Sequence, residues 1–403
     1  MCGWSLGPPN YGNFDRAPGR MVPGSHWDMF SIWERTSFLA EPHLAVVGAG
    51  ITGLFTALHY KRSFPAHRVV VFERGPHPSG ASVKNAGFAC FGSPSEILAD
   101  IDLEGSAVAT ARVEERWHGL RALRAELGDD RIGFEPTGGH ELFQESDALY
   151  NRVAERFDEL NNTLRAVFGQ PVYEWRDHLK GDMGLQAGHI AFTGLEGPID
   201  SGALMRTLLT KVRASGVDVH FRMPATTVEE DGAGALLLFE QGLGTVRCAQ
   251  VVVATNGYTT ELLPGIDVRP ARGQVMLTSP IPGLRLKGTF HAEEGFYYFR
   301  DYQGRVLLGG GRHLDKAGET TTEDAVTPVI QLALERMLQE VILPGVSFSI
   351  EHRWSGVMGF RNQGKTPLVQ RITPHLIVAA GLSGMGVAIG IQVAKRAADL
   401  VHQ

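Results

Sequence analysis

Three glycines at a fixed spacing carry the first chemical signal in this chain. Gly48-x-Gly50-x-x-Gly53 follows a short apolar run, residues 44–47, and precedes Leu54, Ala57 and Leu58 at helical spacing. The stretch therefore reads as strand, tight turn and helix. Each glycine answers a separate need: Gly48 the turn, Gly50 the approach of backbone N–H groups to a pyrophosphate, and Gly53 the close contact of helix on strand. The phosphates would sit at the positive end of that helix. A second apolar strand, 68–72, ends in Glu73, about 25 positions after Gly48 and close to the roughly 20-residue offset at which an acid meets a ribose hydroxyl. An acid there favours a free 2′-hydroxyl, hence FAD or NAD over NADP.

Other residue types narrow the chemistry by what they fail to form. Gly309-Gly310-Gly311 has neither the spacing nor the following helix of a second dinucleotide turn, which argues against NAD(P)H as reductant. His291, His313 and His352 are scattered and read neither as metal ligands nor as members of a triad, and no metal is expected. Ser383 stands in a glycine turn but lacks the Gly-x-Ser-x-Gly elbow of a nucleophile. Cys2, Cys90 and Cys248 are odd in number and far apart, so they suggest no disulfide framework and fit a reducing, cytoplasmic setting.

The elements that must position these residues follow from pattern. Residues 95–127 and 145–168 carry helical periodicity, separated by a strand-like 140–144, and are expected to form a layer outside the nucleotide sheet. A strand at 188–192 precedes a helix capped by Asp200 and running to about Ala214. Residues 217–221 resume the parallel-sheet pattern, short strands follow near Thr226, Leu236 and Val246, and 250–254 is a further buried run that stops at Thr255-Asn256-Gly257-Tyr258. Alternation over 269–314 predicts a β-rich meander. Thr327 and Pro328 open a helix that ends near Val341. A last strand, 376–380, leads through Gly381-Leu382-Ser383-Gly384-Met385-Gly386 into a helix over 387–401. Residues 1–40, rich in Gly, Pro and aromatics without a period, read as an arm in which Met21 or Met29 could be the start.

Composition sets the outer bounds. At 403 residues, two domains are the expectation, and 43% hydrophobic with 20% charged residues describes an ordinary globular protein. A net charge of −6, with no Lys/Arg cluster interleaved with aromatics, gives no attraction for nucleic acid. No apolar run approaches the roughly 20 residues of a membrane helix, and no signal-peptide pattern opens the chain.

From about residue 43 to the C-terminus the sequence resembles the D-amino-acid oxidase, glycine oxidase and sarcosine oxidase superfamily of FAD-dependent oxidoreductases, in the flavour of its gamma-glutamylputrescine oxidase-like branch. The resemblance rests on the opening turn with Glu73, the loop 80–88, the strand and turn 251–258, Arg272-Gly273-Gln274, and the terminal glycine turn 381–386. It implies an α/β fold: a Rossmann-like FAD-binding domain from three segments (41–94, 195–268 and 345–403) and an α+β substrate domain with a mostly antiparallel sheet (95–194 and 269–344).

By that resemblance Glu73 holds the adenosine ribose, and Gly48, Gly50, Ile51 and Gly53 the pyrophosphate. Ser82, Asn85, Ala86 and Gly87 line the flavin, Gly381, Ser383, Gly384, Met385 and Gly386 meet its ribityl and pyrimidine end, and the backbone of Val228 meets the adenine. Thr52, Arg74, Ala81, Phe88, Thr255, Asn256, Gly257 and Gly356 complete the cofactor set. FAD is expected to be noncovalent: the covalent-flavin histidine of relatives falls at Lys84, no cysteine follows Cys248, and only Cys90 could be an exception.

The implied reaction is oxidation of a C–N bond in a small amine or amino-acid derivative by hydride transfer to flavin, with hydrolysis of the imine and reoxidation by oxygen to give hydrogen peroxide. Two departures qualify it. Relatives grip the substrate carboxylate with an arginine where Trp354-Ser355-Gly356-Val357-Met358 places Met358. Either the substrate lacks that carboxylate or Arg300, Arg312 or Arg361 takes over. The lysine that promotes reaction with oxygen is replaced by Leu307, for which Lys365 could compensate. Of Tyr297 and Tyr298, alternation lets one face the flavin, and Tyr298 is preferred. Tyr298, Tyr297, Met358, Arg312 and Lys365 are thus the catalytic candidates. A dehydrogenase passing electrons to a quinone or carrier protein, and a non-catalytic FAD-binding partner protein, remain alternatives.

Overall fold

The computed structural model describes residues 31–38, 40–145, 147–230, 232–240, 244–362 and 364–402. The chain divides into two units, 1–40 and 41–403. In the first, the helix Ile32–Thr36 is opened by a capping box in which Ser31 Oγ accepts from Glu34 N and the Glu34 carboxylate takes the Ser31 N–H at 2.7 Å. The rest of the expected arm, with Met21 and Met29, lies outside the described residues.

The second unit is built on two large sheets. The cofactor sheet has six strands in the order Leu368–Thr373, Leu376–Ala380, Gln250–Val253, Leu44–Val47, Val69–Glu73 and Asp218–Phe221. All neighbours are parallel except the first pair. Its central strands are apolar up to Glu73 because both faces are covered, one by helices and the other by a small three-stranded sheet whose Phe239 packs on Phe72. The helix Ile51–Ser63 is buried almost all round, closed in by the terminal helix Gly386–Val401. Glycines permit that approach: a Cβ on Gly390 would lie 2.7 Å from Ile51 Cγ2, and one on Gly119, in the helix Ser106–Leu127, 1.9 Å from the Ala388 carbonyl oxygen.

The substrate sheet has eight strands, in the order Ile350–Phe360, Arg269–Thr278, Arg305–Gly310, Tyr297–Tyr302, Thr289–Ala292, Gly139–Phe143, His189–Thr193 and Glu174–Trp175. Every pairing is antiparallel except Thr289–Ala292 with Gly139–Phe143. Alternation divides its residues between two faces. Met276, Leu308, Phe299, Phe290 and Tyr297 form one core with Ile330 and Leu334 of the helix Pro328–Met337, while Val275, Leu277 and Leu307 cluster with Ala86 on the cofactor side. On that second side one transverse row crosses the sheet: Trp354, Val275, Gly309, Tyr298, His291 and Glu141 are successive partners.

Two of the segment boundaries expected from sequence shift. Ile350–Phe360 is an edge strand of the substrate sheet, so the chain returns to the cofactor layer only at Leu368. The helices Pro94–Glu104 and Ser106–Leu127, assigned to the substrate domain, share one continuous core with the cofactor helices through Ile97, Leu98, Val113 and Leu120.

Candidate cofactor and substrate site

The three opening glycines are held to their roles by measurable contacts. Gly48 has φ +106°, and a Cβ there would stand 2.8 Å from the Ala254 carbonyl oxygen. A Cβ on Gly53 would fall 1.9 Å from Gly48 O, so helix and turn touch backbone to backbone. Gly50 keeps the N-terminus of the 13-residue helix Ile51–Ser63 open, and the Ile51 N–H already donates to Ser82 Oγ at 3.0 Å. Glu73 is buried and fixed from three sides: its carboxylate accepts from Ala49 N at 2.9 Å, Gly75 N at 3.0 Å and Ser79 Oγ at 3.1 Å.

From Glu73 a cavity of about 950 Å³ runs past Gly48, Gly50, Ile51 and Thr52 to the substrate sheet. At its nucleotide end the Arg74 guanidinium lies 3.6 Å over the Tyr258 ring and 3.5 Å from Glu261. The opposite wall there is Met223, Pro224, Ala225 and Thr226, with Glu240 beside them. Val228 is not on this wall. It lies further along the strand Ala225–Glu230, paired with Leu237 in the small three-stranded sheet, while Ala225 and Thr226 of the same strand line the cavity.

The middle of the cavity is lined by Ala81, Ser82, Asn85, Ala86 and Phe88 on one side, and by Thr255, Asn256, Gly356, Ser383, Gly384, Met385 and Gly386 on the other. The Asn85 amide is spent within its own loop: Nδ2 donates to Ala81 O and Ser82 O, and Oδ1 accepts from Gly87 N and Ser201 Oγ. Asn256 Oδ1 takes the N–H groups of Gly381 at 3.1 Å and Leu382 at 3.4 Å, tying the terminal turn to the strand end Gln250–Val253. Ser383 sits at φ +50°, a conformation costing a non-glycine residue about 1 kcal/mol or more. Gly53, Gly87, Gly257 and Gly381, expected as cofactor contacts, stand behind the wall and act through packing. A Cβ on Gly87 would meet Ile199 O at 2.3 Å, and one on Gly257 would meet Met358 O at 2.4 Å.

Arg272-Gly273-Gln274 acquires a physical role. Arg272 grips Glu319 with two bonds, Nε at 3.0 Å and Nη2 at 2.9 Å, and Gln274 Nε2 donates to the same carboxylate at 2.8 Å and to Thr327 Oγ1 at 2.8 Å. These bonds fix the segment 316–327 as a strap beside the cavity. Asp324 fastens its far end, paired with Lys84 and accepting from Ser355 Oγ at 2.6 Å. Thr327, expected to cap the next helix through its side chain, is drawn to Gln274 instead.

At the substrate end Tyr298 faces the cavity over Gly309, where a Cβ would lie 2.4 Å from its ring. Tyr297 points to the other face and packs edge-on to His313, which removes it from the catalytic candidates. Met358 reaches in between Gly273 and Gly384. The three arginines weighed as replacements for its missing charge part company. Arg300 Nη1 donates to Ile199 O at 2.7 Å and Gly87 O at 3.0 Å, and Arg361 pairs with Asp267 at 3.2 Å. Arg312 alone of the three lines the cavity without a hydrogen bond or ion pair to any described residue, its guanidinium 4.7 Å over the Phe360 ring. Burial, and then the charge of Arg269, lower its pKa. Lys365 also reaches the cavity, but its ammonium is held by Asp100 at 2.6 Å and Glu96 at 3.5 Å. Burial pushes Tyr298 up to about 12, so its hydroxyl stays protonated. Although burial acts to raise Glu96, the charges of Arg116 and Lys365 hold it down at about 2.

Sequence reasoning missed Glu96 and His291 on this wall. The signal for His291 was register, as the cross-strand partner of Tyr298, and Glu96, on the helix Pro94–Glu104, had none. Among the described residues no group of three or more His, Cys, Asp or Glu could hold a metal ion, and no helix is long and apolar enough to cross a membrane.

The glycine cradle, the buried acid and an elongated cavity define a dinucleotide-binding protein whose nucleotide reaches across to a second, largely antiparallel sheet. The family described as "DAO: FAD dependent oxidoreductase" matches residues 43–400, and the chain belongs to it. The glycine oxidase of Geobacillus kaustophilus is 27% identical over 285 residues, 66% of this chain and 69% of the relative. The crystal structure of that organism's glycine oxidase superposes with a TM-score of 0.73 at 21% identity, covering 90% of this chain and 95% of the other. Iminodiacetate oxidase from Chelativorans sp. BNC1 gives 0.72 at 18% identity over 89% and 95%. The protein is an FAD-dependent oxidoreductase. The cradle fits that cofactor, since side chains at Gly48, Gly50 or Gly53 would fill or distort the space its pyrophosphate needs.

Proposed function

We propose that the chain oxidises the C–N bond of a small α-amino acid whose carboxylate is held by Arg312 and Tyr298, with FAD bound noncovalently. The observation that carries this is the Arg312 guanidinium: a half-buried cation on the cavity wall with no acidic partner among the described residues. A carboxylate satisfies it with a charge-assisted bond worth about 1.5–3 kcal/mol. The Tyr298 hydroxyl, also without a hydrogen bond to a described residue, offers a second donor beside it.

FAD, when bound, supplies the two-electron acceptor for the C–H bond next to the amine nitrogen. The protein's part is placement. Arg312 and Tyr298 orient the carboxylate, Met358 and Phe296 give an apolar surround that disfavours the ammonium form, and the strap 316–327 shields the cavity. This reading moves away from a carboxylate-free amine and stands closer to the amino-acid oxidases. A second reading, electron delivery to a quinone or carrier protein, is favoured by Leu307, an apolar side chain buried among Val275, Leu277 and Ala86.

Anaerobic bleaching of the bound flavin by a panel of amino acids, N-methyl amino acids and carboxylate-free amines, followed by air, tests both. Amino acids should bleach it fastest. Bleaching by amines alone would overturn the Arg312 assignment. Rapid return of colour with peroxide supports the oxidase, and slow return the dehydrogenase.

A further inference from the structure

His291 contributes neither to the FAD cradle nor to the proposed carboxylate clamp, yet its side chain stands on the cavity wall. It is 9% exposed and makes no hydrogen bond or ion pair to any described residue. Its place is fixed by the sheet: as the direct cross-strand partner of Tyr298 it shares that residue's face, and its ring stands edge-on to Phe88 at 5.1 Å. Burial lowers its pKa to about 4 against the opposing charge of Glu96, so at neutral pH the ring is uncharged and offers one donor and one acceptor. A buried polar group left unmatched costs about 1–3 kcal/mol. The acids around it are already engaged: Glu96 with Arg116 and Lys365, Glu294 with Arg152, and Glu141, its partner on the next strand, with Ser93 and Ser95. This end of the cavity therefore has an unused hydrogen-bonding group but no unused charge.

We infer that His291 is a specificity-determining residue that hydrogen-bonds the far end of the substrate, and that the preferred amino acid carries a side chain ending in a neutral polar group, an amide or a hydroxyl. The inference rests on the Arg312 clamp: the carboxylate is anchored on one side of Tyr298, and the side chain extends past Tyr298 to the neighbouring strand. Cys90 and Phe88 line that part of the wall and leave His291 as its neutral polar contact.

The test uses the FAD-loaded protein and ligands that cannot react. A series of ω-amide monocarboxylates from malonamate to adipamate is titrated, each beside the fatty acid of equal chain length, and binding is read from the flavin absorption. At one length the amide should bind about 10-fold more tightly than its apolar counterpart. His291→Ala should abolish that preference without changing FAD content or affinity for the fatty acid, and His291→Gln should restore part of it. Equal binding of both series, or a preference that survives His291→Ala, overturns the proposal while leaving the Arg312 clamp intact. Loss of FAD or of fatty-acid binding in His291→Ala and His291→Gln alike would make His291 structural, and also overturns it. If neither series binds the unaltered protein, the clamp itself fails and this inference falls with it.

Discussion

At the end where Glu73 stands, the cavity wall is organised by a glycine turn and a helix N-terminus. At the end where Tyr298 stands, it is organised by side chains on a sheet. The nucleotide end offers the N-terminus of the helix Ile51–Ser63 and three glycines whose missing Cβ atoms let turn, strand and helix close on one another, with one acid locked by three donors. The substrate end presents Met358, Tyr298, Arg312 and His291 from four different strands of one sheet or their ends. One end keeps a cofactor constant. The other is where the choice of side chain can set specificity.

The contrast can be broken most severely at Gly53. Gly53→Ala forces a Cβ into Gly48 O, and we expect a loss of about 3 kcal/mol or more with protein recovered colourless; the absorbance ratio of flavin to protein measures it. Arg312→Gln should leave that ratio unchanged but lower kcat/KM for amino acids about 100-fold, with carboxylate-free amines little affected. A uniform drop for both classes would erase the distinction between the two ends.

Glu73→Ala should weaken FAD retention by about 10-fold in a fluorescence titration of apoprotein. If retention is unchanged, the acid serves only Ala49, Gly75 and Ser79.

Behind the substrate end, burial raises Glu196 to about 8, and its Oε1 accepts from Phe91 N at 2.7 Å. A carboxyl raised on folding adds stability in full below its unfolded pKa of about 4.5 and loses it as pH climbs towards 8. Glu196→Gln, which can still accept that bond, should flatten the decline in Tm between pH 5 and about 8. The smallest effect belongs to the terminal turn: Ser383→Gly relieves a left-handed serine and should raise Tm by about 1 °C.

How legible each end was in the sequence follows from the same division. Main-chain requirements leave residue types at fixed short spacings, so Gly48, Gly50, Gly53 and Glu73 could be read directly. Strand parity reduced Tyr297 and Tyr298 to one, but the choice depended on which face the helix Pro328–Met337 covers. Arg300, Arg312 and Arg361 could not be told apart, because what separates them is distant: the Ile199 carbonyl for one, Asp267 for another, nothing described for the third. His291 and Glu96 were hidden for the same reason. Val228 stands two positions beyond Thr226, which lines the cavity from the same strand, and where along a strand a cavity wall ends is not encoded in spacing.

The terminal helix has a consequence for how the protein is made. Gly386–Val401 closes over Ile51–Ser63, so a helix is covered by one translated more than 300 residues later. At about 5–20 residues per second the interval is roughly 20–70 s, during which Leu54, Phe55 and Leu58 lack their final neighbour. A nascent chain stalled before residue 386 would expose that apolar surface and could not close the FAD cradle.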